Sequence, residues 1–257
     1  MRKLLIAGNW KMNKDFDEAI EFTEGISNRC GAVDEVDIAL FPPATYLKDV
    51  SRITEKNYIV VGAQNIHSED DGAFTGEISA KMVLTSGCGM VILGHSERRH
   101  IFGETSGFIC SKIRKALNSC LTPVLCIGEK IEQRDAGETE RVLDVQLTES
   151  LEGIEILSPN EIIIAYEPVW DIGTGRTATP EQAQNAHLFI RDWLVRRYGE
   201  RATEIRILYG GSVKPSNAED LLSQPDIDGA LIGGASLDLE KFSDIIDIGI
   251  KITGEDK

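Results

Sequence analysis

With 257 residues, 42% of them apolar and 27% charged, the chain has material for a large core. Its formal net charge of −15 argues against nucleic acid or an anionic membrane as partner, and no run approaches the roughly 18 apolar residues of a membrane span. The five cysteines, Cys30, Cys88, Cys110, Cys120 and Cys126, form an odd set without a C-x-x-C pair, which argues against a disulfide framework or a cysteine zinc site and fits a reducing, cytoplasmic setting.

Met1-Arg2-Lys3 followed by Leu4-Leu5-Ile6-Ala7 imitates the start of a signal peptide, but the apolar run ends at Asn9 with no cleavage site behind it. From there short apolar runs recur, each followed by a helical pattern. Strands are expected at residues 4–8, 36–41, 59–63, 90–93, 123–127, 162–166, 205–209 and 229–232. The clearest helix is Pro180–Tyr198, opened by Thr179-Pro180-Glu181-Gln182, with Ala183, Ala186, Ile190, Trp193 and Leu194 on one face and Gly199 beyond its end. Alternation of strand and helix means parallel strands joined by right-handed crossovers. Eight such units without a linker predict one α/β domain over residues 1–257, a single (β/α)8 barrel with its helices outside.

Chemistry in such a barrel sits where strands end and loops begin. Those exits carry Asn9-Trp10-Lys11, Gln64-Asn65, Gly94-His95-Ser96-Glu97, Cys126 with Glu129, Glu167, Tyr209-Gly210-Gly211-Ser212 and Gly233-Gly234. A lone lysine is usually a solvated charge, yet Lys11 at the mouth is a point cation suited to a phosphate or an oxyanion. Asn9, at alternate spacing, projects a donor beside it. His95 opens a helical turn, where the dipole disfavours its cation and favours a neutral imidazole that donates a hydrogen bond; a core histidine bonded to backbone is the plainer alternative. His95-x-Glu97 has no P-C-x-x-C partner, so a zinc deaminase site fails. Glu167 ends an apolar strand that Pro168 stops, placing one carboxylate beside a loop of small residues. A strand-end ion pair is the plainer reading of that glutamate by itself. Gly173-Thr174-Gly175-Arg176-Thr177-Ala178 matches the dinucleotide pattern only weakly: the glycines do not follow the strand directly, and Asp192 falls inside a helix. The glycine pairs after strands seven and eight allow close backbone approach, and helix starts near Ser216 and Ser236 add oriented N–H groups, an anion site.

Asn9-Trp10-Lys11, Gly76-Glu77-Ile78-Ser79, Gly94-His95-Ser96-Glu97-Arg98-Arg99, Ala165-Tyr166-Glu167-Pro168-Val169-Trp170, Ile172-Gly173-Thr174-Gly175, Tyr209-Gly210-Gly211-Ser212-Val213 and Gly233-Gly234-Ala235-Ser236 together resemble the signatures of the triosephosphate isomerase family, over essentially the whole chain. The resemblance implies a glycolytic and gluconeogenic isomerase that interconverts dihydroxyacetone phosphate and D-glyceraldehyde 3-phosphate through an enediolate, without metal or organic cofactor. Glu167 is then the base, and neutral His95 polarises the carbonyl. Lys11 and Asn9 stabilise the enediolate, and Glu97 supports them from behind. Backbone N–H groups of Gly173, Ser212, Gly233 and Gly234 hold the phosphate. Pro168, Val169, Trp170, Ile172, Gly173, Thr174 and Gly175 belong to a lid. Loop 64–77 enters a second subunit, making a homodimer or a dimer-based assembly, with Thr75 near the partner's site and Arg98 and Glu104 supporting the interface. The chain departs from the family at Asp171, where alanine is usual, and at Arg176, where lysine is usual; both concern the lid. Another phosphate-binding barrel, such as a sugar-phosphate epimerase or a phosphoribosyl isomerase, shares fold and phosphate site but leaves the His95, Glu167 and Lys11 trio unexplained. A non-catalytic scaffold would have no use for the trio.

Overall fold

The computed structural model describes residues 2–171 and 178–255. Within them run the parallel strands β1 (Leu5–Asn9), β2 (Asp37–Phe41), β3 (Ile59–Ala63), β4 (Met90–Leu93), β5 (Thr122–Ile127), β6 (Ile163–Tyr166), β7 (Ile207–Tyr209) and β8 (Gly229–Ile232). They close in sequence order, with β8 pairing β1 through Leu5↔Gly229 to Gly8↔Ile232. This is the expected α/β barrel. β3, β4 and β8 match the expected bounds, while β7 starts two residues late. Its predicted first residue, Ile205, closes a turn over Glu200–Glu204, and its carbonyl is taken by the Arg191 guanidinium instead of a ladder partner.

Alternation along the strands sorts their side chains into two shells. Leu5 and Ala7 point inward with Phe41, Met90, Ile92, Val124, Ile163, Leu208 and Leu231. Leu4 and Ile6 join the larger layer between strands and helices. Each large aliphatic buried there contributes about 1.5–3 kcal/mol. The barrel interior is filled, so a ligand can meet the barrel only at its mouth.

The helix Pro180–Tyr198 has the expected bounds and capping box: Thr179 Oγ1 accepts from Gln182 N at 3.2 Å, and Gln182 Oε1 accepts from Thr179 N at 3.1 Å. Its buried face holds the predicted apolar residues and also His187 and Arg191, which apolar periodicity could not point to. Arg191 is held by Asp228 and by the carbonyls of Ala202 and Ile205.

His187 is fully buried against the rings of Tyr166 and Tyr209. Its Nδ1–H donates to the Asp226 carbonyl at 3.0 Å, and Nε2 finds no partner among the described residues. Burial lowers its pKa to about 4. The unfolded chain, with an ordinary histidine near 6.5, therefore binds a proton that the folded one refuses. This contribution is fully present above pH 6.5 and is lost as pH falls from there toward 4. Between pH 7 and pH 5 it removes about 2 kcal/mol. Urea unfolding at the two pH values should show that loss, and His187→Gln should flatten the dependence; an unchanged slope in the variant would assign the acid sensitivity elsewhere.

Candidate active site

Lys11 lies just beyond β1 with φ 52°, a left-handed backbone that costs a non-glycine residue about 1 kcal/mol or more. Neighbours impose it. Its N–H donates to Asn9 Oδ1 at 3.0 Å, and its carbonyl accepts from Gln64 Nε2 at 2.8 Å. The twist aims the side chain across the mouth, where Nζ meets Glu97 Oε1 at 2.8 Å. Gln64 was visible in sequence only as a polar residue at a strand exit; its grip on the strained backbone comes from the fold.

Glu167 follows β6 and is almost fully buried. One oxygen lies 3.0 Å from His95 Nε2, and the other accepts from Ser96 N at 2.8 Å. His95 is the N-cap of the short helix Ser96–His100, and its Nδ1 accepts from Glu97 N at 3.2 Å. An Nδ1 that accepts carries no proton, so Nε2 bears the hydrogen and donates it to Glu167. The Glu97 carboxylate is farther from Nδ1, at 3.5 Å. Two glycines make room for the acid: a methyl on Gly128 would collide with the Glu167 carbonyl at 1.7 Å, and one on Gly210 would sit 2.8 Å from Glu167 Cγ. Burial and the adjacent Glu167 carboxylate push the Cys126 thiol well up, so it stays protonated. The cysteines, including Cys126, are all free.

Glu129 stands at a strand exit, and the sequence alone assigns it no role. It is fully buried and gathers the Tyr166 hydroxyl (3.1 Å), Trp170 Nε1 (2.9 Å) and Arg134 (3.1 Å), while Arg134 stacks over the Trp170 ring. Pro168, Val169 and Trp170 are thereby tied to the end of β5, Val169 N donating to the Glu129 carbonyl at 3.1 Å. Asp171 turns inward beside them to meet Tyr209. Burial and this carboxylate raise the Tyr209 pKa far above the ordinary phenol value. Ile172, Gly173, Thr174, Gly175 and Arg176 lie outside the described residues.

On the far side, Ser212, Gly233 and Gly234 line a cleft of about 490 Å³ together with Asn9, Lys11, His95, Glu167, Gly210 and Gly211. The mouth thus brings the five expected chemical residues and three of the four expected phosphate residues together. A methyl on Gly233 would sit 3.4 Å from Lys11 Cε, and one on Gly234 would meet nothing within 4 Å, so this turn leaves room for a ligand. The helix expected near Ser216 begins at Pro215. The one expected near Ser236 is instead a 3-10 turn over Gly234–Leu237, because the Ser236 hydroxyl and N–H both fold back on the Gly233 carbonyl, at 2.7 and 2.9 Å. The α-helix starts at Leu239.

Thr75 is exposed on loop 64–77. Arg98 and the buried Lys112 both pair with Glu104, at 2.7 and 2.6 Å, and Lys112 also donates to Asn65 at 2.9 Å. This brace stands beside a second cavity of about 330 Å³, lined by Lys11, Gln64, Asn65, Glu97, Arg98 and Phe102 among others. A buried base bonded to a neutral imidazole donor, opposite a cation and a glycine-walled anion cradle, suits proton abstraction next to a phosphorylated carbonyl.

The family model described as triosephosphate isomerase matches residues 4–249. A triosephosphate isomerase of Rhodopirellula baltica is 49% identical over 246 residues, covering 95% of this chain and 97% of that protein. One from Chlorobium phaeobacteroides is 49% identical over 248 residues, covering 96% and 98%. The solved triosephosphate isomerase of Bartonella henselae superposes with a TM-score of 0.88 at 38% identity, over 96% of this chain and 98% of that one.

Proposed function

The chain belongs to the triosephosphate isomerase family, and from that premise we infer that it interconverts dihydroxyacetone phosphate and D-glyceraldehyde 3-phosphate. The observation that carries the reading is the contact of Glu167 with His95 Nε2, at 3.0 Å, inside a cleft shared with Lys11 and Ser212. Both Glu167 oxygens are occupied by donors in this arrangement. A substrate carbonyl at His95 Nε2 takes over that hydrogen bond and frees one carboxylate oxygen to accept the neighbouring carbon-bound proton. His95 polarises the carbonyl, Lys11 and Asn9 balance the developing oxyanion, and Glu97 orients Lys11. Ser212, Gly233 and Gly234, with Gly173 of the lid, bind the phosphate through N–H groups. The carbonyl itself acidifies the adjacent C–H, so the reaction requires no metal or organic cofactor. An isomerase assay with glyceraldehyde 3-phosphate, coupled to reduction of the ketose product, tests the reading. Turnover is expected; phosphate binding without turnover would favour a scaffold role, and turnover only of larger sugar phosphates would favour another phosphate-binding barrel.

The working form is proposed to be a homodimer in the cytoplasm. Among the described residues no helix is long and apolar enough to cross a membrane. Met12 and Phe102, which line the second cavity, are 95% and 65% exposed, and Ile101 beside Phe102 is 73% exposed, large apolar side chains that a partner subunit would cover. The partner's Thr75 loop is the proposed occupant of that groove, within reach of Asn9 and Lys11, with Arg98 and Glu104 bracing its wall. Light scattering at assay concentration should give twice the subunit mass. A fully active monomer would refute the assembly.

A further inference from the structure

We propose that Asp171 is a positioning residue of the phosphate subsite, whose carboxylate takes the Ser212 N–H in place of phosphate and must be displaced when phosphate enters. The proposal rests on the reading of Ser212 as a phosphate donor. Asp171 is 1% exposed. Its Oδ2 alone accepts from three segments of chain: the Tyr209 hydroxyl at the end of β7, Ser212 N at 3.3 Å, and Ala178 N at 3.3 Å just before the helix Pro180–Tyr198. Every one of these donors is a neutral N–H or O–H group. That is the donor set by which backbone turns hold anions, so the carboxylate occupies an anion cradle and is not merely the partner of a nearby cation.

Two further observations say that this seat is specific and incompletely satisfied. A methyl on Gly211 would lie 2.5 Å from Asp171 Oδ2 and 2.3 Å from the Tyr209 hydroxyl, so only glycine there lets the carboxylate reach the turn that lines the cleft. The other oxygen, Oδ1, is buried without a hydrogen-bond partner among the described residues. A buried carboxylate oxygen without a donor raises the free energy of this arrangement and eases its exchange for another. One N–H cannot serve a carboxylate and a phosphate oxygen together, and two anions that close repel. Phosphate affinity is therefore lowered by the cost of moving Asp171. The alanine usual at this position in the family has no carboxylate to compete.

The test is competitive inhibition of the isomerase by inorganic phosphate, read in the intact protein, Asp171→Ala and Asp171→Asn. Losing a charge-assisted competitor should lower the phosphate inhibition constant roughly ten-fold in Asp171→Ala. A smaller drop is expected in Asp171→Asn, which keeps shape and an acceptor but not the charge. KM for the triose phosphate should fall alongside it. A brace that merely holds the loops would move both constants the other way, since a loosened subsite binds less well. An unchanged or raised inhibition constant in folded Asp171→Asn therefore overturns the proposal even if Asp171→Ala fails to fold. Inorganic phosphate that does not compete with substrate in the intact protein is a different failure: it removes the phosphate role of Ser212, and the proposal with it.

Discussion

Glu167→Gln is expected to lower kcat by on the order of 10³-fold or more while inorganic phosphate binds within a factor of about two of the parent. The amide keeps the shape of the acid and one oxygen, so Ser96 N–H, which now donates at 2.8 Å, can still be satisfied. It cannot take a carbon-bound proton. Its NH₂ also faces the His95 Nε2–H that now bonds the carboxylate at 3.0 Å, a donor against a donor. The proposed phosphate cradle of Ser212, Gly233 and Gly234 is untouched, which is why binding and turnover should separate. Steady-state kinetics together with a phosphate inhibition constant check both halves. Equal losses in the two would make Glu167 a structural residue.

Lys11→Ala should lose on both counts. A cation near phosphate and oxyanion serves ground and transition states together, so KM rises and kcat falls. The kcat loss is expected at roughly 10²–10³-fold, the scale of removing one preorganised oxyanion donor. KM should rise about ten-fold for the lost charge-assisted contact. The variant also leaves Glu97, now 2.8 Å from Nζ, without its cation at the cleft, and its negative charge opposes an anionic substrate. Lys11→Arg cannot stand in, because the planar guanidinium does not repeat a point charge on this strained backbone. Kinetics at low ionic strength, where such charges act most strongly, provide the check; unchanged constants there would remove Lys11 from the reaction.

The barrel was legible in the sequence because its strands are short apolar runs and its clearest helix, Pro180–Tyr198, opens on a capping box. β3, β4, β8 and the helix Pro180–Tyr198 have the expected bounds. The candidate reacting groups could be picked out in the sequence because they stand at strand exits, and the fold gathers Asn9, Lys11, His95 and Glu167 around one cleft. What could not be read were contacts between exits distant in sequence. Gln64 holding the Lys11 carbonyl, Ser96 N–H on Glu167, and Glu129 joining Tyr166, Trp170 and Arg134 are pairings of ordinary polar residues; the strand order alone makes them neighbours. Asp171 showed the limit most plainly. Sequence marked it as a departure from the family, and only the fold brings it to Tyr209 and Ser212. His187 was hidden by its own helix, since a polar residue on an apolar face leaves the periodicity intact.

The most direct measurement is hydrogen exchange at the reacting carbon. Dihydroxyacetone phosphate is incubated with the protein in D₂O, and its C1 proton signals and those of the isomer formed are followed by NMR. A carboxylate that lifts a proton from one carbon and returns it to the next exchanges part of it with solvent. The intact protein should place deuterium on carbon at a rate comparable to turnover, and Glu167→Gln should not exceed the protein-free background. Isomer formed without any carbon-bound deuterium, or exchange as fast in Glu167→Gln as in the parent, would contradict proton transfer by Glu167.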